Sequence, residues 1–283
     1  MCVAIILQNR QVVPNVYKLI INLPEIARKA KPGQFLILMG DERGEKIPLT
    51  IADWNEMEGT VTLFYLEAGL STRKLTSLHT SDKIFSVTGP LGNSTEIKNF
   101  GKVFLGGGCY GIGGIYPVAR ALKEAGNEVW VSIEARSAFL LYGIEKLEAV
   151  VDKLLVGTSD GSRGEKGRVQ DIFRRVLGDG EKFDRAYFMG CTRMMKNCSD
   201  ATRDIVPTRV WLNSIMLDGT GMCGCCRVLV GGKMKFACVD GPEFDAHEVD
   251  WDDLFTRKSS YMEAENVAYQ FYNCGQGCQG CQG

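Results

Sequence analysis

Lys102-Val-Phe-Leu-Gly-Gly-Gly-Cys-Tyr-Gly-Ile-Gly-Gly-Ile-Tyr-Pro117 holds, in order, a strand, a glycine-rich turn and the start of a helix. Val103, Phe104 and Leu105 make the unbroken apolar run of a strand buried on both faces. The helix begins near Ile115 to Pro117, with Val118, Leu122 and Ala125 on one side. Proline is tolerated in a first turn, where its missing N–H had no partner anyway. Glycines between such a strand and helix let backbone approach a pyrophosphate at the helix N-terminus. The G-x-G-x-x-G register is met from Gly106 to Gly111, although one such match is a weak signal. Gly107, Gly108, Gly111, Ile112 and Gly113 are therefore candidate dinucleotide contacts, with a tight structural turn as the competing account.

Downstream the alternation continues. Residues 129–133, 153–156 and 185–189 read as further strands, separated by helical stretches at 143–151 and 169–176. Alternating strands and helices predict a doubly wound parallel α/β sheet over residues 99–212. Glu134, Arg136 and Ser137 close the second strand and are candidates for nucleotide contact, a plain surface arginine being the other reading of Arg136. Asp160 lies in a polar loop, 158–167, at a sheet end. Gly190, Cys191 and Met194 belong to a turn after the strand at 185–189. Cys198, further on, reads as a buried thiol.

Upstream the period changes. Short alternating or β-branched runs at 3–7, 16–21, 35–38, 60–65 and 83–87 are punctuated by Pro14-Asn15, Lys31-Pro32-Gly33, Glu58-Gly59 and Gly89-Pro90. Strands at this spacing predict a small antiparallel β-barrel over residues 1–98, with one helix near 71–78. A chain of 283 residues has room for two or three such modules. A net charge of −1 gives no case for nucleic acid or an anionic membrane. No apolar run approaches the roughly 18 residues that span a bilayer, and the first residues are too short a run for a signal peptide. The expected location is cytoplasmic, where clustered cysteines are metal ligands more often than disulfides.

The last module, 213–283, contains four of the eleven cysteines between Asp218 and Cys238. Glycine-dense sequence buries little, so hydrophobic packing alone does not hold this stretch. Cys223 and Cys226 are separated by two residues, and a gap of four before Cys223 lands on Asp218. The plant-type [2Fe–2S] pattern is C-x4-C-x2-C with a distant cysteine, met here with Asp in the first place and Cys238 in the last. Asp218, Cys223, Cys226 and Cys238 are the candidate metal ligands. Zinc is the rival, but structural zinc sites usually pair two C-x2-C knuckles or use histidine, and residues 218–238 hold one C-x2-C knuckle and no histidine. A helix is predicted over 252–272. Cys274, Cys278 and Cys281 form a C-x3-C-x2-C tail that suits either a second cluster or a contact with a partner.

Several of these segments resemble the ferredoxin–NADP reductase superfamily: Lys31-Pro-Gly-Gln-Phe35, Ile47-Pro-Leu-Thr-Ile51, Gly89-Pro-Leu-Gly92 and the turn after Met189. The resemblance implies FAD on the barrel, at Pro48, Leu49, Thr50, Ile51, Tyr65, Gly69, Ser71 and Thr72. Thr50 matches the family hydroxyl near the flavin ring. Ile47 and Leu49 depart from its arginine and aromatic. An ordinary helix cap is the alternative role for Ser71 and Thr72. Cys191 stands where nicotinamide meets flavin in that family. Over nearly the whole chain the module order is similar to two groups of proteins. One is the electron-transfer subunits of dihydroorotate dehydrogenase, which carry Cys at the place of Asp218. The other is the small subunits of electron-bifurcating NADH-dependent ferredoxin:NADP oxidoreductases, which have a three-Cys, one-Asp cluster. The second resemblance implies NAD(H), FAD and a [2Fe–2S] cluster here. It also implies a large partner subunit with FAD and [4Fe–4S] clusters that binds NADPH, and ferredoxin reached through that complex. A redox sensor that binds flavin without turnover is the alternative of another class.

Overall fold

The computed structural model describes residues 2–275. Six antiparallel strands close a barrel in the order β1-β2-β5-β4-β3-β6. They are β1 (Cys2–Val13), β2 (Val16–Asn22), β3 (Phe35–Met39), β4 (Lys46–Asn55), β5 (Thr60–Leu66) and β6 (Lys83–Leu91). Helix α1 (Pro24–Ala27) and helix α2 (Leu70–Thr76) occupy connections between strands. Leu19, Ile21, Leu36, Ile51, Leu63 and Ile84 fill the barrel, each wholly or almost wholly buried. The expected barrel strands are all present. β4 is additional, for Pro48 removes a ladder donor and argues against a strand. Here Pro48 pairs across from Ile37 inside β4.

The second unit alternates strand and helix: β7 (Lys102–Gly108), α3 (Gly111–Glu124), β8 (Glu128–Ala135), α4 (Ile144–Glu148), β9 (Lys153–Thr158), β10 (Glu165–Lys166), α5 (Val169–Gly178), β11 (Arg185–Met189), α6 (Thr192–Thr202) and β12 (Thr208–Trp211). After these come β13 (Arg227–Val230), β14 (Lys233–Phe236), β15 (Glu243–Asp245), α7 (Trp251–Ser259) and α8 (Met262–Gly275). The seven-stranded sheet runs β10-β9-β8-β7-β11-β12-β15. Its strands are parallel except β15, which joins β12 antiparallel. Strand order reverses between β7 and β11, and open α/β sheets bind ligands at the carboxyl ends of strands flanking such a reversal. The helix predicted over 252–272 is two helices, α7 and α8. Cys278 and Cys281 lie outside the described residues.

Two apolar layers cover the sheet. α3 packs Ile112, Ile115, Val118 and Leu122 over one face. On the other, α5 and α6 share one core with Cys226, Val228, Ala237, Cys238 and Trp251 of the cysteine-rich segment. That segment is thus anchored to the sheet on its apolar side. An ion cluster ties barrel to sheet: Asp53 of β4 accepts from Arg120 of α3 at 3.1 Å and pairs with Lys146 of α4.

Candidate functional site

A cavity of about 300 Å³ opens where the barrel meets the reversal point of the sheet. Pro48, Leu49, Thr50, Tyr65 and Thr72 line it from the barrel. Tyr110 and Met189 line it from the ends of β7 and β11, and residues 211–216 close it from the connection after β12. The barrel residues are five of the eight expected there. Ile51 instead points into the barrel, where it is fully buried against its core neighbours, and Gly69 and Ser71 lie outside the wall. Alternation explains Ile51, because successive strand residues face opposite sides. Sequence reading missed Trp211 to Met216 altogether. They carry no motif, and their only signal is an apolar stretch following a strand end.

The cavity suits a flat, mostly apolar ring system with polar edges. Ser214 Oγ, on a residue of its wall, is buried without a hydrogen-bond partner. Such an orphan costs about 1–3 kcal/mol unless a ligand satisfies it. Other polar groups are already committed. Tyr65 O–H donates to Asn9 Oδ1 at 2.9 Å, and burial pushes its pKa far above the ordinary tyrosine value. Thr72 Oγ1 accepts from the backbone N–H of Ala68 and Gly69, at 3.0 and 3.1 Å, and so caps α2. Ser71 donates to Glu45 at 3.1 Å.

The glycine turn has work to do before any nucleotide arrives. A Cβ on Gly111 would run into the Met189 carbonyl, one on Gly113 into the Phe64 ring, and one on Gly114 into the Met189 sulfur. Glycine here lets α3 sit directly against β11 and the barrel. Gly107 admits Ile115, and Gly108 and Gly190 leave room for the Met194 side chain beneath them. Ile112 and Met194 are core residues. Cys109 lies in the left-handed region at φ 54°, a conformation a non-glycine residue keeps only when its surroundings impose it. Tyr142 supplies that constraint, its O–H donating to the Cys109 carbonyl at 2.9 Å.

The other nucleotide candidates fall into two groups. Glu134 accepts the Val169 N–H at 2.7 Å at the start of α5, and burial raises its pKa. Ser137 and Asp160 are hydrogen-bonded to one another, and Asp160 also takes Ser162. The Ser137 and Ser162 bonds hold the Asp160 carboxyl down to about 2. Arg136 is exposed beside them. Cys191 is exposed immediately before α6 and outside the cavity wall, next in sequence to the Gly190 carbonyl that receives Tyr110 O–H.

The cysteine-rich loop is wound through three left-handed glycines, Gly219, Gly221 and Gly224, at φ 75°, 82° and 67°. Cys226 and Cys238 are buried with their sulfurs 3.2 Å apart. The Cys238 N–H donates to Cys226 Sγ at 3.4 Å. Burial, then the Cys226 bond, pushes the Cys238 thiol up to about 12. Two sulfurs so placed suit a soft cation, which binds thiolate. Cys223 and Cys225 are exposed. Asp218 accepts from the N–H groups of Thr220 and Cys223 at 2.9 and 2.7 Å, bonds that lower its pKa. Among the described residues no three or more His, Cys, Asp or Glu side chains are gathered as a metal site. The loop brings two sulfurs together and holds Asp218 beside Cys223 through backbone.

Residues 213–250 match the iron–sulfur cluster binding domain of dihydroorotate dehydrogenase B. Over 266 residues the chain is 44% identical to a Thermotoga maritima protein, a dihydroorotate dehydrogenase B (NAD(+)) electron transfer subunit homolog, covering 94% of each. It superposes with TM-score 0.90 and 42% identity on a chain from the structure of the NADH-dependent reduced ferredoxin–NADP oxidoreductase, studied for flavin-based electron bifurcation. That match covers 96% of this chain and 98% of the other. A ferredoxin NADP+ reductase from Neisseria gonorrhoeae shares the fold at 14% identity, with TM-score 0.61 over 74% of this chain and 98% of its own. The barrel, the reversed sheet and the cysteine loop thus belong to a chain of the dihydroorotate dehydrogenase B electron-transfer subunit family and its homologues, oxidoreductase subunits with an iron–sulfur-binding domain.

Proposed function

We propose that this chain is the NAD(H)-reactive electron-transfer subunit of an electron-bifurcating complex of the NADH-dependent ferredoxin:NADP oxidoreductase type. The observation that carries the reading is the single cavity shared by barrel residues Thr50 and Tyr65 and by Tyr110 and Met189 at the reversal point of the sheet. FAD bound there, NAD(H) beside it and a [2Fe–2S] cluster would supply hydride exchange and one-electron transfer, chemistry that belongs to the cofactors. Pro48, Leu49 and Tyr65 would hold the flavin ring between apolar walls, and Thr50 would offer it a hydroxyl. The buried hydroxyl of Ser214 is a second polar contact for that ring. The ends of β7 and β11, around Gly108, Tyr110, Gly190 and Cys191, would take the dinucleotide, with Arg136, Ser137 and Asp160 at its far end. Cys223, Cys226, Cys238 and Asp218 would hold the cluster.

The partner would be a large subunit with FAD and [4Fe–4S] clusters that binds NADPH, ferredoxin being reached through it, in the cytoplasm. Among the described residues no helix is long and apolar enough to cross a membrane. Asp218 favours this partner over a dihydroorotate dehydrogenase, whose electron-transfer subunits resemble the chain but carry cysteine there. Reconstitution with each class of partner is the test. NADH-dependent ferredoxin:NADP reduction supports the reading, and dihydroorotate-dependent NAD reduction in its place replaces it.

A further inference from the structure

α7 ends beside the cavity, and Lys258 in its last turn reaches the cavity wall. Its Nζ donates to Asn213 Oδ1 at 2.8 Å, and Thr192 Oγ1 donates to the same oxygen at 3.0 Å. Asn213 Nδ2 donates to the Tyr110 hydroxyl at 2.5 Å, and Tyr110 donates in turn to the Gly190 carbonyl at 2.9 Å. The chain of bonds straddles the ends of β7 and β11, where strand order reverses. An ammonium only donates, so Lys258 forces the Asn213 oxygen toward itself and the amide nitrogen toward Tyr110. One Asn213 amide hydrogen is left without a partner among the described residues, on a side chain that lines the cavity.

Lys258 is unusual in its surroundings. It is half-buried, and the partial loss of water lowers its pKa, while Cys191 and Glu265 are near enough to favour its charge. Neither pairs with it in an ion pair among the described residues. A partly desolvated ammonium without a carboxylate partner carries a cost that an uncharged side chain at this position of α7 would not. Such placement at a ligand crevice points to a role for the charge itself.

Building on the dinucleotide reading above, we propose that Lys258 is a positioning residue that sets which oxidation state of the nicotinamide is preferred at the ends of β7 and β11, beside the flavin cavity. Its positive charge behind Asn213 opposes the cationic ring of NAD+ and accepts the neutral ring of NADH. The amide hydrogen that Lys258 keeps free on Asn213 donates to the ring carboxamide in either form. The charge therefore acts on the difference between the two ligands, while the amide acts on both. Two unit charges several ångströms apart in a partly screened site change a binding ratio by about tenfold.

The test measures dissociation constants for NADH and NAD+ on the full chain loaded with flavin and cluster, in wild type, Lys258→Gln and Lys258→Arg. Glutamine keeps a donor for Asn213 and removes the charge; arginine keeps both. The expected result is that Lys258→Gln lowers the ratio of the NAD+ constant to the NADH constant about tenfold, and that Lys258→Arg preserves it. An equal weakening of both ligands in Lys258→Gln, or the same ratio change in Lys258→Arg, overturns the proposal. If wild type binds neither dinucleotide, the dinucleotide reading of the ends of β7 and β11 fails and the proposal with it. If wild type binds both and the ratio does not move, the proposal alone fails. Should Lys258→Gln not fold, Lys258→Met removes charge and donor together, and the expected result is the same fall of about tenfold in the ratio on top of a weakening common to both ligands.

Discussion

The cavity and the cysteine loop are built in opposite ways. The cavity is assembled from distant segments, residues 48–50 and 65, 110, 189 and 211–216, each fixed by strands or by close packing around glycine. The loop draws its candidate ligands from one stretch of twenty-one residues, and they meet in two pairs, Cys226 with Cys238 and Asp218 with Cys223. Burial organises the first, and ligand spacing along the chain organises the second. The difference teaches that a cofactor site can be preformed by fold, whereas a cluster site can be written in local spacing and completed on binding.

Separability is the sharpest consequence. Cys226→Ser or Cys238→Ser should abolish iron binding, read by iron analysis, while flavin content stays at the wild-type level. Loss of flavin along with iron would break the distinction. Next in size is the packing of α3. Gly111→Ala forces a methyl against the Met189 carbonyl, with an expected cost of about 3 kcal/mol and a fall in Tm of roughly 6–12 °C. That variant should lose flavin and keep iron in the loop, the reverse of the cysteine variants.

Those two regions were legible to different degrees. The spacing from Asp218 to Cys238 marked the loop at once, because metal ligation imposes residue types at fixed intervals. The βα alternation and the glycine turn also gave the sheet. Half the cavity wall was hidden, since Asn213, Ser214 and Met216 owe their place to where the chain returns after β12. Pro48 hid β4. The glycines at 111, 113 and 114 were visible as a nucleotide signature, but their contacts with Met189 and Phe64 are tertiary and follow from no motif. Lys258 lies 45 residues from Asn213 in sequence, beyond the reach of any local pattern.

Smaller effects refine the comparison. Asp53→Ala removes the carboxylate shared by Arg120 and Lys146 across the barrel–sheet boundary. A loss of about 1 kcal/mol is expected for so partly exposed a cluster, measured by urea denaturation, with the iron content unchanged. Glu134 gives the smallest and a pH-dependent effect. Its folded pKa is raised by burial, so its contribution to stability is full below the ordinary glutamate value of about 4.3. That contribution is lost as pH rises through the raised folded value. Glu134→Gln retains an acceptor for the Val169 N–H and cannot ionise. The variant should therefore gain stability over wild type at neutral pH and lose that advantage below pH about 4.

The central claim is that cavity and loop form one electron path through this chain. Anaerobic addition of NADH to the flavin- and iron-loaded chain, followed by visible absorbance and low-temperature EPR, tests it most directly. The account predicts bleaching of the flavin and appearance of a reduced [2Fe–2S] signal that is absent from Cys226→Ser and altered in Asp218→Cys. Flavin bleaching with no cluster signal, or a spectrum unchanged by Asp218→Cys, would contradict it.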